Sequence, residues 1–491
     1  MLKSQILKGT TWLLAGRFIS NGLGLLSTLI AARLLMPEDF GLMAIAMSVF
    51  AIAGSVVELP VGAALVQMKN AGKDDFDTAW TINFLRGAIV AALMVIVAWP
   101  ASLVMGDPRL FGLVAVLALY PLVLGLRNSW FEQYIRDMDF RREALLDVLT
   151  KITSITVIVW IGLATHSYWA LPIGLIASGL ANTAASYVLR PQLPAFGLKS
   201  FRKFFGFSVW VGLGNVADSV RDASTNFLLG RFVGNARLGA FSVGSQFGER
   251  LETLLYAPME RTLFAAFSSI QDDAARVRDV YLKSIHSGFA IILPVCVGMG
   301  LLAPEIISIT LGPKWPEAAL VLTFAAPITA LYLLAGLSNS LANALGHPRL
   351  LFKYKLVSAA VHVPVLAAGL INYGMIGALW ACAFTALGWY LLSIHAAAKV
   401  TGLTRGAQIA AVGRTTLSAL VMSGVVVSAR ETLLAGGGSE LMDMILRAGL
   451  LAILGALTYT AAHVTLWQLT GRREGIETNV LSILNRRLAN P

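Results

Sequence analysis

The sequence predicts an all-α integral membrane protein of about fourteen transmembrane helices, and three observations carry that prediction. Hydrophobic residues make up 57% of the 491 residues and charged residues only 13%, whereas a soluble domain carries about a quarter charged. The apolar residues gather into repeated runs of about 20, long enough to cross roughly 30 Å of hydrocarbon as a helix. The basic residues, which set the net charge at +11, fall in short loops between those runs, as the positive-inside rule requires, and not along one face as nucleic-acid binding would need.

Charged residues and Pro, Gly or Asn punctuate the runs in order. The first, 11–35, follows a basic start and has no small-residue cleavage signature, so it is read as a retained helix and not a signal peptide. The second, 41–66, opens after Pro37-Glu38-Asp39; the third and fourth, 80–104 and 110–130, flank Gly106-Asp107-Pro108. The fifth and sixth cover 146–164 and 168–188, and a basic stretch with Lys199, Arg202 and Lys203 then leads to the seventh, 206–230. Gly234-Asn235 separates it from the eighth, 238–266, and Asp272-Asp273 precedes the ninth, 284–303. The tenth, 317–343, follows Gly312-Pro313-Lys314; the eleventh and twelfth, 351–371 and 374–397, meet at Asn372. The thirteenth and fourteenth, 409–429 and 442–468, flank Gly436-Gly437-Gly438.

Fourteen crossings put both termini on one side, and charge tests the count. One set of loops carries only Arg33, Arg109, Arg231, Arg237, Lys314 and Arg430; the other includes Arg136, Arg141, Arg142, Lys199, Arg202, Lys203, Arg349, Lys353 and Lys355. That bias places both termini in the cytoplasm, and thirteen spans would not sort this way. The outward loops are short, so whatever the protein does is done within the bilayer.

Shifting the chain by 198 residues aligns Trp12 with Trp210, Gly16 with Gly214, Arg33 with Arg231, Gly41 with Gly239 and Pro60 with Pro258. The offset equals six spans, an even number, so the copies share an orientation as in parallel transporter repeats. The expected organisation is a six-helix lobe at 1–190, a cytoplasmic linker at 191–205, a second six-helix lobe at 206–400, and two extra helices with a cytoplasmic tail at 401–491.

An ionisable residue inside a span is costly and marks function by default. In the first span Arg17, Asn21 and Thr28 share a face; in the seventh Asp218, Arg221, Asp222 and Thr225 recur at helical spacing. The eighth carries Gln246, Glu249, Arg250 and Glu252, with Glu260 and Arg261 further on. The third has Asn83 and Arg86, the second Glu58, and the tenth Asn339 and Asn343. The polar helices are the first few of each repeat, where a cavity between two lobes would be lined. Arg17, Arg86 and Arg250 suit an anionic group, because the guanidinium stays charged and binds phosphate in two places. The bland alternative is that Asp218 with Arg221 or Asp222, and Glu249 with Arg250 or Arg261, are ion pairs that fix packing, and that Arg86 snorkels to the interface.

Other chemistry is absent. No phosphate-binding loop occurs, the six His residues show no metal spacing, and Cys296 and Cys382 read as small buried hydrophobes. Asp74-Asp75 and Asp272-Asp273 read as solvated loop charges. The aromatic and basic segment Trp130–Arg142 is expected to lie along the headgroup layer.

Leu7-Lys8-Gly9-Thr10-Thr11-Trp12, running through Ala31-Ala32-Arg33-Leu34-Leu35-Met36-Pro37-Glu38-Asp39-Phe40-Gly41, resembles the opening of the Wzx-type oligosaccharide flippases, polysaccharide export proteins of the WzxC and ExoT-like branch of the multidrug/oligosaccharidyl-lipid/polysaccharide superfamily. Phe131–Arg141 and Leu311–Ala319 resemble two of that branch's loops. The resemblance implies a V-shaped, two-lobed fold in the bacterial inner membrane. It implies alternating-access translocation of an undecaprenyl-diphosphate-linked oligosaccharide for a surface polysaccharide or lipopolysaccharide, with Arg17 and Arg250 meeting the diphosphate. Its partners would be that lipid-linked oligosaccharide, membrane lipids, a polysaccharide polymerase and a chain-length regulator; no nucleic acid, cofactor or metal is called for. The acids Asp218, Asp222, Glu249 and Glu252 leave room for H+ or Na+ coupling. Two other readings stand beside it: an ion-coupled drug or metabolite antiporter of the same superfamily, and a polysaccharide polymerase or ligase. The short outward loops weigh against the last.

Overall fold

The computed structural model describes residues 2–58, 61–68, 71–137, 139–204, 209–434 and 441–470. Among them the chain is helical throughout, with no strand. Two compact units divide it, Met1–Gly239 and Ala240–Pro491.

The first unit opens with α1 (Leu2–Leu34), α2 (Pro37–Val56), α3 (Val61–Gln67) and α4 (Lys73–Met105). Short helices α5 (Arg109–Leu117), α6 (Leu119–Gly125) and α7 (Glu132–Arg136) lead to α8 (Phe140–Thr165), α9 (Ala170–Leu189) and α10 (Val209–Val233). Lipid gives helices no hydrophobic reason to associate, so close backbone approach has to supply the contact. Gly16 of α1 faces Ala144 of α8 so tightly that a Cβ on the glycine would sit 2.4 Å from the alanine Cβ. Gly87 of α4 and Gly125 of α6 do the same against the carbonyls of Pro121 and Asn83.

Helix α2 starts where its sequence says it must. Pro37 takes the first turn, where a missing N–H costs nothing, and Asp39 reaches back to accept from the Met36 N–H at 2.9 Å. Gly41 then meets the chain around residue 235: its Cβ would lie 1.9 Å from the Asn235 carbonyl oxygen, and one on Gly239 would lie 1.7 Å from that of Pro37. Residues 37 and 235 are 198 apart, as are 41 and 239, so equivalent segments touch reciprocally, the signature of an isologous pair. The offset found in the sequence is therefore also an offset of contacts.

Helix α4 begins at Lys73, ahead of the expected 80, and this corrects the reading of Asp74-Asp75 as solvated charges. Asp75 is 3% exposed and accepts from the Gly72 N–H at 3.0 Å, capping the helix. One turn on, the chain after α9 lies along α4. Ala195 N–H donates to Asp77 at 3.0 Å, Gly197 N–H to Thr81 at 3.0 Å and Ser200 N–H to Thr78 at 3.2 Å. Asp74 remains exposed, 3.4 Å from Lys199.

The second unit continues α11 (Asn235–Leu251), a π turn at Glu252–Tyr256 and α12 (Ala257–Ser269). A single span was expected over 238–266; Pro258 offers no N–H to the preceding turn, and the helix widens before it. Its sequence counterpart Pro60 lies outside the described residues, but there too the helix breaks, between Val56 and Val61. Then come α13 (Ala274–Leu301), α14 (Ala303–Thr310), α15 (Pro316–Ala344), α16 (Pro348–Thr401), α17 (Arg405–Leu434) and α18 (Leu441–Leu469). α16 is two helices joined at Gly374, whose φ of 58° and ψ of −137° no L side chain adopts readily. Gly369 lies against Gly377, and His362 bonds Thr385 across the fold-back at 2.9 Å.

The core of this unit is built around Tyr281, Phe289, Leu334 and Trp389. Tyr281 O–H donates to Gln408 at 2.9 Å. Arg414 of α17 donates to Nε2 of His286 on α13 at 2.6 Å, while His286 Nδ1 meets the Ala411 carbonyl at 2.9 Å. A carbonyl only accepts and a guanidinium only donates, so Nδ1 is the donor side of the ring and Nε2 the acceptor.

Most described residues of the expected runs are helical; the second run is interrupted at 57–58, the fourth at 126–128, and 206–208 of the seventh lie outside the described residues. Among the described residues, nine helices are long and apolar enough to cross a membrane, and the bent pair Arg109–Gly125 with Ser129–Arg136 adds a tenth. α16 counts once in that number although it holds two of the expected runs. The molecule is a multi-pass, all-α membrane protein.

Candidate functional site

Six of the sequence candidates lie in the first unit. Arg17 is half-buried on α1, one residue beyond the Gly16 contact that brings α1 against α8. Its charge acts on Glu143 and Asp147 of α8, and the same two acids feel Arg127, itself 3.8 Å from Glu132. An arginine on one helix thus lies within electrostatic reach of carboxylates on another. Glu143 and Asp147 were missed in the sequence, and a signal was there: Asp147 and Lys151, one turn apart within the fifth run, break its apolar character. Asn21 is half-buried one turn further along α1, and Arg86 half-buried on α4.

On α10 the helical spacing does what it promised. Arg221 donates through Nε and Nη2 to one Asp222 oxygen at 3.0 and 2.9 Å, and Asp218 lies 4.0 Å away on the same helix. The Arg221 side chain is 14% exposed and that of Asp222 66%. The cation is therefore shielded by two acids and the trio carries a net negative charge, the ion-pair reading of these residues. Neighbouring polar side chains tie α10 to α2: Asn226 donates to Ser48 at 2.8 Å, and Asn215 to Glu58 at 3.4 Å.

The remaining five lie in the second unit. Gln246 and Arg250 are half-buried on α11, and Glu249 is exposed. Arg250 closes the last turn before the π turn that Glu252 opens. π turns recur at functional sites because the extra residue re-aims the side chains around it. This one is anchored by Tyr256, whose hydroxyl pairs with Ser340 at 3.2 Å and whose ring fills the space beside Gly336 of α15. Arg261's side chain lies outside the described residues. On α15, Asn339 accepts from Ser393 at 3.4 Å, and Asn343 is exposed.

The loop after α4 belongs to the same region as the Gly41 contact. Arg109 pairs with Glu38 and, at 2.8 Å, with Asp107, which also accepts from Asn235 at 3.0 Å. The Arg109 hydrogen bonds hold the Asp107 carboxyl below its usual range. The Arg33–Gly41 motif thus serves a junction in the fold, and none of its residues contacts the Arg17 cluster through a described hydrogen bond.

Comparison with known proteins places these features. A model of the family described as polysaccharide biosynthesis protein matches residues 30–320. The chain is 22% identical over 462 residues to the succinoglycan biosynthesis transport protein ExoT of Rhizobium meliloti (strain 1021), covering 93% of this chain and 92% of that one. It is 21% identical over 392 residues to the lipopolysaccharide biosynthesis protein WzxC of Escherichia coli (strain K12), covering 77% of each. The solved inward closed conformation of the lipid II flippase MurJ shares the fold, with a TM-score of 0.70 at 13% identity over 92% of this chain and 98% of that one.

Proposed function

The chain belongs to the polysaccharide biosynthesis protein family, and from that premise we propose that it is a flippase carrying a lipid-linked oligosaccharide repeat unit from the cytoplasmic to the periplasmic leaflet of a bacterial inner membrane. It is a membrane transporter of the polysaccharide-export type. The finer reading adds fourteen crossings with both termini in the cytoplasm, an undecaprenyl-diphosphate carrier and alternating access, and it supplies a cell-surface polysaccharide or lipopolysaccharide.

The observation that carries this reading is Arg17. A charge half-buried on a membrane helix costs several kcal/mol or more unless something uses it. Here Glu143 and Asp147 lie within its electrostatic reach from the neighbouring helix. Such an arginine can exchange a carboxylate for a diphosphate, whose oxygens match its planar fork. Arg250, at the π turn, is the second diphosphate-meeting residue. The acids released on α8, with Asp222 and Glu249, are candidates to take up H+ or Na+, so that an ion gradient drives the return.

The test is export in cells carrying Arg17→Ala or Arg250→Ala at normal protein level. Loss of surface polymer, with the lipid-linked unit accumulating on the cytoplasmic face, is expected. Full export in both variants overturns the assignment, and accumulation of the unit on the outer face points to a polymerase.

A further inference from the structure

The segment Trp130–Arg142 mixes aromatic and basic residues and lies outside the residues of the proposed transport site. In the fold its centre is Tyr134 in the middle of α7. The ring is 5% exposed, and its hydroxyl donates to the Leu189 carbonyl at 2.9 Å. Two arginines from distant parts of the chain converge on it. The guanidinium carbon of Arg142, in the first turn of α8, lies 4.1 Å from the ring centroid, and that of Arg190, at the end of α9, lies 5.2 Å away.

The two cations differ in their partners. Arg190 is oriented by neutral amides, donating to Gln133 at 2.9 Å and Gln192 at 3.2 Å. Arg142 has Asp139 at 3.5 Å, with both side chains about two-fifths exposed. Of the other acids nearby in the chain, Asp137 is exposed, Glu132 stands 3.8 Å from Arg127, and Glu143 and Asp147 lie within the electrostatic reach of Arg127 and Arg17. A guanidinium stacked on a ring keeps its charge and turns its N–H edge outward, and a buried ring holds that edge in place before any ligand arrives.

The surroundings identify the occupant. Around Arg190 in the chain the apolar side chains are open: Val188 is 80% exposed, Leu193 77% and Phe196, packed edge-on to Trp80 and Phe84, 70%. Lys199 follows, with its side chain 78% exposed. Exposed apolar residues beside arginines place the cluster where acyl chains meet headgroups, at the end of the helices that the positive-inside rule puts in the cytoplasm. A soluble anion has no use for the apolar rim, whereas a phospholipid uses both parts.

We propose that Arg142 and Arg190, stacked on Tyr134, form a docking site for the phosphodiester headgroup of an anionic bilayer phospholipid, with Val188, Leu193 and Phe196 against its acyl chains. The site lies apart from Arg17 and Arg250 in its residues and stands whether or not the transport reading does.

Native mass spectrometry of the purified full chain, titrated with phosphatidylglycerol or phosphatidylcholine, tests it without a transport assay. Wild type is expected to retain phosphatidylglycerol in preference to phosphatidylcholine. Arg142→Gln with Arg190→Gln should weaken phosphatidylglycerol roughly twenty-five-fold, about fivefold for each basic side chain at an anionic surface, with phosphatidylcholine unchanged. The Arg142→Lys with Arg190→Lys pair, which keeps charge and folding but not the planar stack, should fall between. Equal retention of the two lipids by wild type, or undiminished phosphatidylglycerol binding in both variant pairs, overturns the site. Preferential loss of a polyprenyl diphosphate over phosphatidylglycerol in the variants overturns the phospholipid as its occupant.

Discussion

Replacing Gly41 by alanine adds one methyl group where the fold leaves no room for it. The new Cβ would lie 1.9 Å from the Asn235 carbonyl oxygen and 2.7 Å from its carbon, inside the 3.0 Å that Cβ atoms essentially never breach. The obstacle is backbone, so no side-chain rotation relieves it, and α2 must part from the start of α11 by about 1 Å. Overpacking of this kind costs roughly 1–3 kcal/mol. For a unit of about 150–250 residues, 1 kcal/mol moves the midpoint by about 2–4 °C, so a loss of roughly 2–12 °C is expected. Gly239→Ala meets the Pro37 carbonyl at 1.7 Å and should cost a similar amount. Both substitutions push the same two segments apart, so the double variant should lose less than the sum of the singles. Gly22→Ala is the control: nothing lies within 4 Å of its Cβ, and alanine inside a helix gains up to about 1 kcal/mol over glycine. Thermal unfolding of the detergent-solubilised protein, followed by size-exclusion fluorescence, measures all four. A Gly41→Ala midpoint equal to or above wild type, with Gly22→Ala unchanged, would refute the close contact and with it the reciprocal arrangement of residues 37–41 and 235–239.

Two further expectations concern ion pairs. Asp107→Asn should lower the midpoint at neutral pH by the equivalent of about 1 kcal/mol or less, as for a partly exposed pair. Because its carboxyl is held below the usual range, the stability it contributes is present above about pH 4 and is lost as pH falls through the depressed value. The gap between variant and wild type should therefore close on acidification, and a gap that widens instead contradicts the pairing with Arg109. Arg430 of α17 meets Glu305 of α14 at 2.9 Å, with side chains 28% and 11% exposed. Glu305→Gln leaves the guanidinium poorly matched and should cost up to about 3 kcal/mol, while Glu305→Leu with Arg430→Met should recover most of that. A double variant no more stable than the single would show that the pair does not hold these helices together.

The architecture was legible because bilayers impose a local rule. A span needs about 20 apolar residues wherever it sits, so each run could be recognised without knowing its neighbours. Pro37 and Asp39 marked the start of α2 for the same reason, since a cap is made within one turn. The triad of Asp218, Arg221 and Asp222 was also within reach, because residues three and four apart on a helix must meet.

What depends on partners far along the chain was decided only by the tertiary structure. Asp75 looked like a loop charge until the helix was seen to start at Lys73, and the role of Asp77 emerged only with residues 195–200 lying across it. Arg17 could be placed on a face of α1, but the acids that balance it come from α8, more than a hundred residues away. The two arginines on Tyr134 are 48 residues apart and share no motif. The sequence by itself determined which segments are helical, their apolar character and the 198-residue echo between its halves. Tertiary structure alone decided which backbones approach closely enough to need Gly41 and Gly239, and which charges find each other. Helix formation satisfies each peptide group from four residues away, whereas packing and ion pairing are settled by whatever the fold brings into contact.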